Sequence, residues 1–182
     1  MKIKMALKLA RFILVVAIFL ALDQITKSAI RTNLVPGQSL VVIPGIFELT
    51  LVYNTGIAFG LFPNAGIWLA PTAVLVSIAA TFGYLYAPPN FRLFSASMML
   101  VTAGAIGNFT DRIFHEGRVT DFIDIKIIHV FNLADFYITL AVVLLFVHWI
   151  FVAKHDLATP SAERENEKKE TIPPREETES LR

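Results

Sequence analysis

Asp135 stands in Phe131-Asn132-Leu133-Ala134-Asp135-Phe136-Tyr137, at the start of a long uncharged run where a chain built only to anchor would carry Leu or Trp. An ionisable group at membrane depth costs on the order of 2.5 to 3.5 kcal/mol by insertion scales, so it needs a partner or a purpose. One purpose is modest: Asp near a helix start satisfies free backbone N–H groups, although Asn132 could equally serve as that cap. Two more acids lie upstream. Asp111 follows Gly104-Ala105-Ile106-Gly107-Asn108-Phe109-Thr110, so Asn108 and Asp111 share a helix face at i, i+3 and make it polar. Asp121 comes ten residues later, in Gly117-Arg118-Val119-Thr120-Asp121-Phe122, where its bland reading is a solvated loop acid.

Two carboxylates held together cannot both ionise easily, so one keeps its proton while the other acts as a base. The ionised member can take a proton from water while the protonated one polarises a scissile carbonyl, and the pair titrates as a unit. That is peptide hydrolysis, and it needs no cofactor. Asp135 with either Asp121 or Asp111 brackets one link of the chain. Spacing alone favours Asp111, which lies closer to a membrane helix and has Asn108 beside it. Other nucleophiles fare worse: Ser28, Ser39, Ser77, Ser95 and Ser97 lack a Gly-x-Ser-x-Gly context, and the histidines form no His-Glu-x-x-His metal motif.

Other polar groups carry structural readings beside functional ones. Asp23 and Lys27 in Asp23-Gln24-Ile25-Thr26-Lys27 form an i, i+4 pair, more often structural than catalytic, with Lys27 assigned to orientation or head-group contact. Arg112 is read as a local charge partner of Asp111, and Asn108 as an interhelical hydrogen bond. Asn54-Thr55-Gly56-Ile57-Ala58-Phe59-Gly60 reads as a turn in which Gly56 permits tight backbone and Asn54 offers donors and acceptors, able as a site to hold a substrate backbone.

The elements that must position these residues are membrane helices. Of 182 residues 55% are hydrophobic and 17% charged, against roughly a quarter charged in soluble domains. The 16 basic and 15 acidic residues balance, giving no basic face for nucleic acid, and the absence of cysteine excludes disulfides and thiolate chemistry. Gly66 to Ala87, Leu93 to Thr110 and Phe136 to Ala153 are three uncharged spans, the last containing only His148 as a titrating group. Phe12 to Ile30 is a fourth span, apolar from Phe12 to Leu22 and then carrying Asp23, Gln24 and Lys27. No small-x-small cleavage site follows its apolar part, so it is read as a retained helix continuing outward through Asp23 and Lys27. Basic residues gather on the N-terminal tail, at Arg92 and at Lys154, so both termini are expected in the cytoplasm with the two long links outside. Leu40 to Ile43, a Pro44-Gly45 turn and Ile46 to Tyr53 read as a hairpin. Val119 to Ile128 is a further extended segment, with Asp121 and Asp124 on opposite faces. The domain is expected to span 1–155 with its β segment near 39–60, and 156–182 to be a disordered charged tail.

Five segments together resemble the lipoprotein signal peptidase (signal peptidase II) family: Asp23-Gln24-x-x-Lys27, Asn54-x-Gly56-x-Ala58-Phe59-Gly60, Gly104-Ala105-Ile106-Gly107-Asn108-x-x-Asp111-Arg112, Gly117-x-Val119-x-Asp121-Phe122 and Phe131-Asn132-x-Ala134-Asp135. They cover roughly residues 12 to 153. The resemblance implies an all-α membrane protein of four transmembrane helices with a small extracytoplasmic β-sheet, a β-cradle, in a bacterial inner membrane. It implies a catalytic pair of Asp121 and Asp135 at the outer surface, preferring Asp121 where spacing preferred Asp111. Asn54, Gly56, Asn108, Asp111, Arg112 and Asn132 are implied as supporting or substrate-binding groups, and Asp23 and Lys27 as framework. The implied substrate is a prolipoprotein signal peptide, cut before a cysteine that carries diacylglycerol, among membrane lipids. The rival class is a small transporter or channel whose ion path Asp23, Asn108 and Asp135 would line.

Overall fold

The computed structural model describes residues 2–56 and 66–158. Ala58, Phe59 and Gly60 of the glycine-containing motif, and the tail from 159 onward, lie outside the described residues. In chain order the elements are α1 (Lys2–Asn33), β1 (Ser39–Ile43), β2 (Phe47–Asn54), α2 (Ala70–Tyr86), α3 (Arg92–Phe114), β3 (Val119–Asp124) and α4 (Leu133–Ala158), with a 3-10 turn at Gly66–Leu69 leading into α2. All four helices are long and apolar enough to cross a membrane.

α1 continues without a break through Asp23 and Lys27, as its i, i+4 spacing predicts. Its 32 residues make a rod about 48 Å long, well beyond a hydrocarbon core of roughly 30 Å. Its last turns therefore carry a stripe of Asp23, Lys27 and Arg31 toward the sheet. At the opposite end Lys8 Nζ donates to the carbonyls of Leu85 (3.0 Å) and Ala87 (2.8 Å), satisfying acceptors that the end of α2 leaves open. Pro88 and Pro89 then prevent the helix from continuing.

The four helices pack around Phe12, Val16, Tyr84, Met99, Leu100, Ala103, Tyr137 and Ala141. Large apolar side chains such as Leu14 and Ile18 on α1, Leu75 and Phe82 on α2, and Val142, Phe146 and Trp149 on α4 face outward. A surface of this kind suits lipid, not water. α3 lies at the centre and approaches α4 closely because two glycines leave room: a Cβ on Gly104 would stand 2.5 Å from the Ala134 carbonyl oxygen, and one on Gly107 2.6 Å from Asp23 Oδ2. The close packing expected of these two glycines is thus used twice, once against α4 and once against α1.

The three strands form one antiparallel sheet in the order β1-β2-β3. The hairpin turns at Pro44-Gly45, where Gly45 takes φ 73° and Ile46 N–H returns to the Ile43 carbonyl at 3.1 Å. β3 is shorter than the extended segment predicted for Val119 to Ile128, ending at Asp124. Lys126 follows with φ 63° and pairs with Glu48 (2.7 Å) and Asp124 (3.0 Å), which turns the chain back so that Phe131 bridges to Ile123. The β2–β3 register sets Val52 opposite Asp121 and Asn54 opposite Val119, after an irregularity between Leu49 and Val52. Ile30, Leu51 and Phe122 form a second small core that seats the sheet on the end of α1.

Candidate active site

The acids divide into two groups by their neighbours. Asp23 and Asp111, both fully buried, are matched by cations from α1. Lys27 Nζ lies 2.9 Å from Asp23 Oδ2 and 3.7 Å from Asp111 Oδ2, and Arg31 lies 3.6 Å from Asp111 Oδ1. Each carboxylate also holds backbone: Asp23 accepts from Ala134 N in the first turn of α4 (3.0 Å), and Asp111 from Thr120 N on β3 (2.8 Å). These two acids fasten together the ends of α1, α3, α4 and β3. Lys27 is fully buried, so the expected head-group contact is corrected. Its ammonium points into the protein because two carboxylates and the Asn108 side chain surround it. The local pairing expected between Asp111 and Arg112 is also absent. Neighbouring helix positions diverge, and Arg112 instead reaches the carbonyls of Asn108 (3.3 Å) and Gly56 (3.4 Å), while its buried Nε has no partner among the described residues.

Asp121 and Asp135 have no salt-bridge partner among the described residues and are held by amides. Asn132 Nδ2 and Asn54 Nδ2 donate to Asp121 at 2.6 and 3.1 Å, and Asn108 Nδ2 donates to Asp135 at 2.7 Å. In each case the amide orientation follows from its oxygen. Gly56 N–H takes Asn54 Oδ1 (2.9 Å), Asp135 N–H takes Asn132 Oδ1 (3.0 Å), and the Lys27 ammonium takes Asn108 Oδ1 (3.0 Å). All three of those groups can only donate, so each Asn must turn its NH2 toward a carboxylate. Asn132 also donates its backbone N–H to Asp135 Oδ2 at 3.4 Å, and so touches both acids. Asn132 and Asp135 cap α4 reciprocally, Asn132 at the cap and Asp135 three residues on. The alternatives of cap and site residue for Asp135 are therefore compatible.

Burial drives the carboxyl of Asp121 up to about 7, and the negative charge of Asp135 adds to the rise; hydrogen bonds from Asn132 and Asn54 and the charge of Lys27 oppose it. By contrast Asp124, on the other face of β3 as its odd spacing predicts, is held low by hydrogen bonds from Lys126.

Among the described residues three cavities reach these acids. One, of about 440 Å³, touches both Asp121 and Asp135 and runs along α4 past Phe131, Phe136 and Ile138. A second, of about 320 Å³, meets Asp135, Asn108 and Arg112 between α2, α3 and α4. A third, of about 260 Å³, lies over β2 and touches Asn54, Gly56 and Asp121. Asp111 lines none of them. Further residues with a part in this arrangement were not singled out from the sequence. Gln24 Nε2 donates to Asp23 (3.0 Å), to the Gly107 carbonyl (3.1 Å) and to Asp111 (3.4 Å), and Arg31 donates to the Thr120 hydroxyl (2.8 Å). For Arg31 a signal exists, since it continues the Asp23, Lys27 stripe by one more step of four. An ion path through the helices finds no support, because apolar side chains fill the centre of the bundle.

The signal peptidase (SPase) II family profile matches residues 15–151. The lipoprotein signal peptidase of Moorella thermoacetica is 44% identical over 134 residues, covering 74% of this chain and 89% of its own length. That of Gloeobacter violaceus is 39% identical over 138 residues, covering 75% and 79%. A solved bacterial membrane enzyme, determined by the in meso method at 2.3 Å resolution, superposes with a TM-score of 0.75 at 28% identity, covering 83% of this chain and 94% of its own. A second, at 1.9 Å resolution, gives a TM-score of 0.67 at 30% identity over 76% and 91%. With most of its length matched by the family profile and by these relatives, the chain belongs to the signal peptidase II family of membrane peptidases.

Proposed function

We propose that the chain is an aspartic endopeptidase that removes the signal peptide from diacylglyceryl-modified prolipoproteins, cutting before the lipidated cysteine. Its place is the outer face of a bacterial inner membrane, with both termini cytoplasmic. The relatives are lipoprotein signal peptidases by name. The observation that carries the aspartic assignment is the sorting of the acids: Asp23 and Asp111 are matched by cations, whereas Asp121 and Asp135 meet at Asn132, held by neutral amides and opening on one cavity. Only a pair without cation partners can share a proton readily.

In the resting pair Asp121 carries the shared proton, favoured there by burial and by the neighbouring charge, and Asp135 is the base. Water attacks the scissile carbonyl carbon, giving one proton to Asp135 while Asp121 gives its proton to the carbonyl oxygen. The tetrahedral diol collapses as Asp135 passes its proton to the amide nitrogen and a hydroxyl proton returns to Asp121. The C–N bond breaks, leaving a carboxylic acid on the signal peptide and a free amine on the cysteine. Asn108, through Lys27, fixes the side chain of Asp135, and Asn54 and Asn132 fix that of Asp121, so the oxygens need little rearrangement during reaction. Arg112 also lines the second cavity, where its guanidinium can hold a substrate carbonyl.

The purified full-length protein in detergent should cleave a diacylglyceryl-modified prolipoprotein before its cysteine and leave the unmodified precursor intact. Failure to cleave the modified substrate, or equal cleavage of both, would overturn this reading.

A further inference from the structure

A lipidated cysteine is a branch point. Its amino side continues into an apolar signal helix, its sulfur carries acyl chains, and its carbonyl side continues into a polypeptide bound for water. Three cavities also converge on Asp121 and Asp135, and their walls differ in the same way. The cavity at Arg112 is walled by Ala73, Val76, Val101 and Ala105 from membrane-crossing helices, and the larger one runs down α4 along Phe136 and Ile138. The cavity over β2 takes no wall from any of the four spans: Val52, Tyr53, Thr55, Gly56, His129 and Val130 surround its approach to Asp121.

Resting on the peptidase reading above, we infer that this β2 cavity is the subsite for the residue that follows the lipidated cysteine, and that His129 is its specificity-determining side chain. His129 lines both this cavity and the one that touches both acids, so it stands where the two branches on the mature side of the cut separate. Its side chain is exposed. Lys126 is engaged by Glu48 and Asp124 and Asn132 by Asp121, while among the described residues no side-chain hydrogen bond or ion pair engages the ring of His129. Its backbone is nonetheless held, because the pairs of Lys126 on one side and the Phe131–Ile123 bridge on the other fix both ends of the short segment. An anchored segment presenting an exposed imidazole to a cavity of about 260 Å³ with mixed polar and apolar walls can select among side chains there without taking part in the bond change. The volume suits a short stretch of peptide and not a folded domain.

The test is a charge exchange. Lipidated substrates carrying Asp or Lys directly after the cysteine are cleaved by the full-length protein, by His129→Glu and by His129→Lys, and kcat/KM is compared within each protein. His129→Glu should move the Lys-to-Asp ratio up by about fivefold and His129→Lys should move it down by about as much, the scale of an exposed ion pair. Opposite shifts cannot come from loss of folding, which lowers both substrates together. The same Asp and Lys pair placed before the cut, on the signal side, should show no such exchange. Unchanged ratios, shifts in one direction, or equal shifts on the signal side would overturn the subsite while leaving the peptidase reading intact. Absence of cleavage by the unaltered protein would overturn both.

Discussion

Replacing Asp121 by Asn should remove activity and, at neutral to alkaline pH, make the fold more stable. The carboxyl of Asp121 is raised from 3.8 to about 7 in the folded protein, chiefly by burial. A rise of that size corresponds to ~4 kcal/mol of folded-state cost once the group is ionised. The sign follows from linkage: below the unfolded value both states are protonated and the cost is nil, it grows as pH rises from about 4 to about 7, and then it levels. Asn carries no such cost but brings a second one. Asn54 and Asn132 both present NH2 groups to this side chain, with orientations fixed by Gly56 N–H and Asp135 N–H, so one of them would face the new amide's own NH2. An unmet buried donor costs ~1–3 kcal/mol. The variant should therefore be less stable than the unaltered protein near pH 4 by about that amount and more stable near pH 8 by roughly 1–3 kcal/mol, with the curves crossing between. Because the two acids titrate together, the difference belongs to the pair. Reversible unfolding in mixed micelles, followed by tryptophan fluorescence across this pH range, measures it. A difference independent of pH, or one that grows more unfavourable at high pH, would refute the reasoning.

The framework makes further expectations. Lys27→Met leaves Asp23 and Asp111 buried with one of their two cations gone, which should cost ~3–5 kcal/mol of stability in the same unfolding assay. Adding Asp23→Asn to it should recover part of that loss, and a double variant no better than the single would argue against the pairing. Gly107→Ala places a Cβ 2.6 Å from Asp23 Oδ2 and 3.2 Å from the Ala134 Cβ, so it should cost ~1–3 kcal/mol and lower turnover by shifting the first turn of α4. Gly83→Ala is the control: its nearest atom is Met98 Sδ at 3.1 Å, at the flexible part of a side chain, and both readouts should stay close to those of the unaltered protein.

The four spans and the hairpin were legible because uncharged runs and β-branched stretches around Pro44-Gly45 report local physics directly. Residue spacing favours Asp111 beside Asp135, whereas the structure brings Asp121 to Asp135 through Asn132 and a common cavity. Asp111 is near Asn108 along α3, but its carboxylate points back to Lys27, Arg31 and the Thr120 N–H. Which way it points depends on the α1 stripe, far away in sequence. Asp121 reaches Asn54 and Asn132 through the β2–β3 register, shifted between Leu49 and Val52, and no local pattern encodes that offset. The family resemblance supplied the preference for Asp121 that spacing did not. The burial of Lys27 was hidden for a related reason: a lysine near a helix end looks like a snorkelling group until its partners on α3 are known. His129 carried no motif at all, and its place between two cavities emerges only from the fold.

In the proposed reaction Asp121 and Asp135, and not Asp111, exchange protons with water and the scissile bond. The most direct test is turnover of a diacylglyceryl-modified prolipoprotein by Asp121→Asn, Asp135→Asn and Asp111→Asn, purified side by side with the unaltered protein. The first two should fall at least ~10³-fold, to the background rate, while remaining folded, and the third should keep measurable turnover despite a weakened framework. Substantial turnover in Asp121→Asn or Asp135→Asn, or background turnover in a well-folded Asp111→Asn, would contradict this assignment.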